Sequence, residues 1–136
     1  ENIILMLGLI LPRVGCGPAI IETESLLLVL RKRAPEAGHW GLPGGKIDPF
    51  EAVAAAVARE IDEELGLRIS PHKLLCVVDQ IDRTASTHWI APVFLVEDAE
   101  GEPLLREPDA LRAVAWFPLD ALPEPLTEAT RQSLAG

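Results

Sequence analysis

The chain has 136 residues, and 49% of them are hydrophobic, which is enough to bury one core but gives no reason to expect more than one domain. We therefore predict a single globular domain over residues 1–136. Its 21 acidic residues outnumber its 12 basic ones, so the formal net charge is −9. This charge disfavours binding to a nucleic-acid polymer or an anionic membrane, and an anionic small molecule would need local cations.

The cysteines and the apolar start indicate the cellular compartment. Cys16 and Cys76 are far apart and have no partner at metal-ligand spacing, which is typical of small buried thiols in a reducing cytoplasm. The apolar run over residues 3–11 is too short to span a bilayer and follows Glu1 instead of a basic segment. We predict a strand there and a cytoplasmic protein; whether residues precede Glu1 is left open.

Strand signals occur on both sides of one long helical pattern. Stretches rich in aliphatic and aromatic residues, bounded by Pro, Gly or charges, predict strands over residues 3–11, 16–22, 25–31, 74–80, 87–96 and 113–117. Because proline cannot donate to a strand ladder, Pro92 predicts an edge position or a bulge in the fifth of these.

The helical pattern covers residues 50–65, where an aliphatic residue recurs every fourth position. Gly66 fits the left-handed residue that often closes a helix. A second helix is predicted over residues 128–134, with Thr127 as its cap. Strands around one central helix, followed by a C-terminal helix, predict an α/β sandwich.

Three carboxylates of the central helix are candidates for chemistry. Glu60, Glu63 and Glu64 are spaced i, i+3 and i+4, so they project from the same helix face. Their repulsion is relieved if a hard divalent cation such as magnesium lies among them. The alternative is a solvated acidic face, which is what most charge runs form.

The residues around these carboxylates decide between the two interpretations. From Gly45 the sequence has five residues and Glu51, then seven residues and the run Arg59-Glu60-Ile61-Asp62-Glu63-Glu64-Leu65-Gly66-Leu67. This pattern resembles the Nudix box, the signature of the Nudix hydrolase family. At a usage of roughly 7% per residue type, seven fixed residues coincide by chance about once in 10⁸ starting points.

Flanking segments resemble the same family less specifically. The run Trp40-Gly41-Leu42-Pro43-Gly44-Gly45-Lys46 is similar to the loop that leads into the box, and Trp116-Phe117-Pro118 with Leu122-Pro123 is similar to the last strand and its exit turn. The resemblance extends from about Val14 to the end. It implies the Nudix fold, an α/β/α sandwich with a mixed β-sheet in which the box forms a loop-helix-loop.

The resemblance also implies roles for the residues of the box. Glu60, Glu63 and Glu64 match the family's metal-binding carboxylates, the Gly45 carbonyl matches its additional oxygen ligand, and the cofactor is Mg2+, with Mn2+ as a substitute. Arg59 matches the arginine that pairs with Glu51 and orients the catalytic helix face.

The general base is not fixed by the resemblance. Bound magnesium would neutralise charge on the phosphoryl oxygens and activate a water, whose proton must pass to a carboxylate. Glu63 and Glu60 are our candidates. Glu107 is a further acidic candidate. The alternative is that Glu107 is a loop residue beside Pro108 with no catalytic role.

Substrate contacts are the least constrained part of the sequence. Lys46, Arg31 and His88 are candidates for substrate binding, each with an exposed surface position as the alternative. Arg33 is a further cation near the end of the strand predicted over residues 25–31, which contains Arg31. Trp89, next to His88, is the aromatic residue that we single out for stacking, although most aromatic residues pack in cores.

Three functions remain open. The first is hydrolysis of a nucleoside triphosphate to a monophosphate and pyrophosphate by a MutT-like enzyme. The second is the same chemistry on ADP-ribose or a nucleotide sugar, whose enzymes often form homodimers. The third is a non-catalytic nucleotide sensor, which the intact set of charged box residues disfavours because an unused site need not keep such crowded charge.

Overall fold

The computed structural model describes residues 11–135, so the strand predicted over residues 3–11 falls outside the described residues except for Leu11, which is not in a strand. The strands are β1 Arg13–Glu22, β2 Ser25–Arg31, β3 Trp40–Gly41, β4 Gly45–Lys46, β5 Lys73–Asp82, β6 Thr87–Val96 and β7 Leu111–Pro118. The helices are α1 Val53–Leu65 and α2 Glu128–Ala135. Within residues 11–135, neither helix is long and apolar enough to cross a membrane.

The strands form one mixed sheet. Its order is β3-β2-β1-β6-β5, with β7 paired to β2 and β4 paired to β1. β1 and β6 run parallel, and the other paired strands run antiparallel. The predicted mixed sheet is therefore confirmed.

Strand β2 shows why the sheet lies between two helices. Leu27 and Val29 pack on the face that α1 covers, whereas Leu26 and Leu28 pack on the face that α2 covers. A strand that is buried on both faces has an unbroken apolar sequence, as β2 does. The predicted α/β/α sandwich is confirmed, and we call its two surfaces the α1 face and the α2 face.

The predicted start of the central helix is wrong by three residues. Asp48 to Glu51 form a turn closed by a 3.1 Å hydrogen bond from the Glu51 amide to the Asp48 carbonyl, with Phe50 at φ 66°. Pro49 sets the second position of such a turn, and the third position requires positive φ. Phe50 is fully exposed, so it offers the helix no buried contact, and α1 begins at Val53. Its predicted end is confirmed, with Gly66 at φ 70°.

The edge position predicted from Pro92 is also wrong. β6 lies between β1 and β5, in the interior of the sheet. The paired positions of β1 and β6 are interrupted between Val14–Ile90 and Gly17–Val93, the stretch that contains Pro92. Over the same stretch β1 pairs with β4 through Gly15 and Cys16. The gap in the β1–β6 pairing thus coincides with Pro92, which has no amide proton to donate.

Helix α2 fixes the segment that precedes β4. The Thr127 hydroxyl accepts a 3.3 Å hydrogen bond from the Thr130 amide, which confirms Thr127 as the predicted cap. Thr130 is fully buried, and its hydroxyl accepts a 3.1 Å hydrogen bond from the Leu42 amide while sharing a 2.7 Å bond with the Thr127 hydroxyl. The C-terminal helix thus holds the chain two residues before Gly44.

We expect Thr130→Val to lower the free energy of unfolding by about 1–3 kcal/mol, because the part-buried Leu42 amide then loses its acceptor. Thermal unfolding measures this change. The matched control is Thr87→Val, which alters an exposed threonine of β6 and should shift the midpoint far less. Equal shifts in the two variants would show that the Leu42 contact contributes nothing.

Candidate active site

Arg59 is the centre of the acidic face of α1. Its guanidinium contacts Glu51 through two hydrogen bonds, 2.7 Å from Nε to Oε2 and 2.9 Å from Nη2 to Oε1. This is the pair that the sequence predicts, and its forked geometry is specific to arginine. The hydrogen bond from Arg59 lowers the pKa of Glu51 to about 2.

The same guanidinium reaches two carboxylates of the box and the loop before α1. Nη1 donates to Glu60 at 3.3 Å and to Glu63 at 3.1 Å, while Nη2 donates to the Lys46 carbonyl at 3.0 Å. Asp48, which sequence analysis did not single out, lies 3.5 Å from Nη2. One cation therefore offsets much of the repulsion within the box and ties the loop to the helix.

Gly45 allows the loop to approach α1 closely. A Cβ atom at this position would clash with the Glu60 carboxylate, so any other residue would push that carboxylate away. The next amide, that of Lys46, donates to Glu60 Oε2 at 3.2 Å. Glycine at position 45 thus places the backbone of β4 directly against Glu60.

Glu64 differs from its neighbours because it is buried. It is 8% exposed, and its Oε1 accepts a 3.0 Å hydrogen bond from the Gly44 amide. Burial, followed by repulsion from Glu60 and Glu107, raises the pKa of Glu64 to about 8, although the Gly44 amide and Arg31 act in the opposite direction. Glu107 and Arg31 therefore both lie close enough to affect this carboxylate.

The donor set suits a hard divalent cation, although the side chains are not gathered around one point. Within residues 11–135, no three His, Cys, Asp or Glu side chains form a group able to hold a metal ion. Arg59 contacts Glu60 and Glu63, whereas the Gly44 amide contacts Glu64. The donors are nevertheless oxygen atoms, and a bound cation would favour the charged form of Glu64, whose pKa is raised by burial and then by repulsion from Glu60 and Glu107.

The three predicted substrate-binding residues lie in different surroundings. Lys46 is exposed next to the box, and Arg31 donates to the Pro35 carbonyl at 2.7 Å. His88 shares the α1 face with Asp79, whose Oδ1 lies 3.9 Å from Nε2; that nitrogen is buried and has no hydrogen-bond partner in the described part of the chain. The Lys46 backbone thus lies against Glu60, and Arg31 acts on Glu64 through its charge without a direct contact in the described part of the chain.

Sequence analysis missed a polar cluster on the α2 face. Glu36 Oε1 accepts a 3.0 Å hydrogen bond from Gln80 Nε2, and Glu36 Oε2 accepts a 2.8 Å bond from the Glu128 amide. These partners lie 44 and 92 residues from Glu36 in the sequence. No local pattern could have revealed the cluster, because only the folded sheet brings its members together.

Comparison with known proteins assigns the family. The NUDIX domain matches residues 12–135 of the chain. The chain belongs to the Nudix hydrolase family. The resemblance found in the box is thereby confirmed, and the Nudix fold is confirmed by a crystal structure of a MutT NUDIX hydrolase from Burkholderia pseudomallei. That structure is 57% identical, covers 92% of this chain and 97% of its own, and superposes with a TM-score of 0.90.

Relatives of this Nudix chain carry different names. An ADP-ribose pyrophosphatase of Methanocaldococcus jannaschii is 36% identical over 83% of this chain and 66% of its own length. A putative 8-oxo-dGTP diphosphatase 2 of Mycobacterium tuberculosis is 35% identical over 75% of this chain and 78% of its own length. Three of the matched curated relatives are longer proteins, of which the chain spans 66%, 32% and 32%.

The raised pKa of Glu64 predicts how the stability of the Nudix chain depends on pH without metal. Between about pH 4.5 and 8 the folded protein keeps a proton that the unfolded chain has lost. The free energy of unfolding should therefore fall as pH rises through this window, by at most about 1.4 kcal/mol per pH unit, and level off above it. Chemical denaturation in chelator measures the slope. Glu64→Gln should flatten it, whereas Asp62→Asn, an exposed change on the same helix, should not; an unchanged slope in Glu64→Gln would contradict the assignment.

Arg59→Lys should weaken both the fold and the affinity for a divalent metal ion. Lysine cannot make the forked contact with Glu51 and also reach Glu60 and Glu63, so its single ammonium would compensate the repulsion among the box carboxylates less well. Thermal unfolding and a magnesium titration by calorimetry measure the two effects. Arg68→Lys, an exposed arginine whose only ion pair is with exposed Glu100 among the described residues, is the control. Loss of turnover with unchanged stability and metal affinity would show that Arg59 acts directly on the substrate.

Proposed function

We propose that the protein is a Mg2+-dependent enzyme that hydrolyses a nucleoside triphosphate to a nucleoside monophosphate and pyrophosphate. The observation that carries this proposal is the approach of the Gly44–Gly45 loop to Glu60 and Glu64, which brings backbone groups of the loop against two carboxylates of the box. The relative named 8-oxo-dGTP diphosphatase supports a triphosphate substrate.

The residues that would hold the metal are Glu60, Glu63 and Glu64, with the Gly45 carbonyl as the additional ligand. When bound, magnesium neutralises the charge that builds up on the phosphoryl oxygens and lowers the pKa of water. Arg59 would keep Glu60 and Glu63 in register with the loop through the contacts that it makes already.

The proposed reaction is hydrolysis by one water molecule. The water oxygen forms a bond to phosphorus, the bridging phosphorus–oxygen bond breaks, and the water proton passes to a carboxylate. Glu63 is half-exposed and gives only Oε1 to Arg59, so Oε2 is free to accept that proton. Glu60 is the alternative base, and Arg31 and Lys46 would contact the phosphates as cations.

A second candidate is the same hydrolysis of a diphosphate linked to a sugar. The relative named ADP-ribose pyrophosphatase favours it, since the chain matches it at 36% identity. Such an enzyme would need the same metal and the same box, and a homodimer remains open in this case. The non-catalytic sensor is the third candidate, to be distinguished by turnover.

Turnover by the purified chain tests these candidates. Phosphate, pyrophosphate and monophosphate are measured with a panel of nucleoside triphosphates, ADP-ribose and nucleotide sugars, in magnesium and in chelator. We expect pyrophosphate release from triphosphates in magnesium alone. Glu64→Gln should lower that rate by about 10²-fold or more, since a metal contributes several kcal/mol, whereas Asp62→Asn should not. Turnover of sugar-linked diphosphates alone would establish the second candidate, and nucleotide binding without turnover the third.

A further inference from the structure

Beyond the phosphate chemistry, we propose that the nucleobase of the substrate stacks on Trp89 and that Gln80, oriented by Glu36, hydrogen-bonds the edge of that base. This inference rests on the proposed function, because it names the part of the same site that selects the nucleotide. It concerns the α2 face of the sheet, next to the loop of the box.

Trp89 lies between the box loop and the polar cluster. In the sheet it is paired with Arg13 of β1 on one side and with Gln80 of β5 on the other, and paired residues share a face. A Cβ atom on Gly15 would lie 3.3 Å from the Gly45 carbonyl oxygen and 3.6 Å from Cε3 of Trp89. The indole and the proposed metal-binding loop therefore border the same point of β1.

The indole can receive a planar group. Trp89 is half-buried, and the Arg13 guanidinium carbon lies 5.8 Å from the ring centroid. Arg13 is exposed, and an exposed cation–π contact is weak. A nucleobase could replace it over the ring, since every base offers a π-face to an aromatic side chain.

Gln80 has a fixed orientation, unlike most surface amides. A carboxylate can only accept hydrogen bonds, so the 3.0 Å contact with Glu36 Oε1 must involve the NH2 group of Gln80. Its Oε1 accepts no hydrogen bond from any residue in the described part of the chain. One acceptor and one remaining N–H are thus available beside Trp89, which matches a base edge that has a donor next to an acceptor.

Glu36 acts as a positioning residue for this amide. Its second oxygen accepts the 2.8 Å hydrogen bond from the Glu128 amide at the start of α2, so the carboxylate is held from both sides. Because Glu36 is fixed, the amide of Gln80 cannot turn over without losing its partner. Fixed polar groups of this kind discriminate between substrates by leaving a mismatched edge unpaired.

Removing the indole tests the stacking contact. Trp89→Leu should raise KM for a nucleoside triphosphate roughly 5- to 150-fold, the range for one base–aromatic stack, and Trp89→Phe should restore most of it. Binding of inorganic tripolyphosphate with magnesium, which has no base, should not change. The control is Ile81→Gln, an exposed residue next to Gln80 on the α1 face. An unchanged KM in Trp89→Leu, or equal weakening of tripolyphosphate, would overturn the proposal.

A binding measurement separates this inference from the proposed function. Trp89 is one of three tryptophans, and nucleoside monophosphates added in chelator should quench the wild-type fluorescence but not that of Trp89→Phe. This readout needs no turnover, so it decides the stacking contact even if no substrate of the panel is hydrolysed. Equal quenching in the two proteins would overturn it.

Selectivity tests the role of Gln80 and Glu36. Gln80→Leu and Glu36→Gln should change the ratios of kcat/KM among triphosphates with different bases, because the amide is removed or freed to turn over. A purely structural role would lower kcat/KM for every base by the same factor. Unchanged ratios in both variants would therefore remove these two residues from base recognition.

Discussion

The site depends on one guanidinium that holds several anions together. A helix that carries three carboxylates on one face is opposed by their repulsion, and Arg59 counters it from within the same helix. Its contacts with Glu51 and the Lys46 carbonyl extend this compensation to the preceding turn and loop. Without that cation, only the Lys46 amide would hold the Glu60 carboxylate against the loop at Gly45. The geometry of the box is therefore set by charge balance as much as by packing.

The compensation is uneven, and this divides the carboxylates into two groups. Glu60 and Glu63 contact Arg59, whereas Glu64 is buried against the Gly44 amide, which is a neutral donor. A buried carboxylate without a cation favours its neutral form, which is why the pKa of Glu64 is raised. A divalent ion would supply the charge that Arg59 does not bring to this position. The arrangement therefore combines an internal cation, which compensates Glu60 and Glu63, with a buried carboxylate that Arg59 does not contact.

The sequence predicts those features that depend on nearby residues. Strand β2 follows from its apolar run, the end of α1 from Gly66, and the box from its fixed spacing. Each of these is determined within one contiguous segment of the chain.

Other features depend on long-range contacts and were missed or predicted wrongly. The interior position of Pro92 depends on the order of the strands in the sheet, and the support of the loop depends on Thr130 contacting Leu42 from 88 positions away. The helix start predicted at Phe50 is wrong for a local reason, because residues 48–51 form a turn before α1 although the helical pattern extends over them. Residue spacing in the sequence therefore predicts which residues form the box better than it predicts which residues surround the box in the fold.

In the proposed site, catalysis and base recognition come from different segments of the chain, and this would explain why the box does not identify the substrate. The carboxylates and their loop belong to β4 and α1, whereas Trp89, Gln80 and Glu36 belong to β6, β5 and the loop after β2. Successive side chains of a strand lie on opposite faces of the sheet. His88 and Trp89 are adjacent in β6 but therefore have different surroundings. Under this proposal, substitutions on the α2 face would change the base that is bound and leave Arg59 and its carboxylates in place. Relatives that are named for different nucleotides are what such a division would produce.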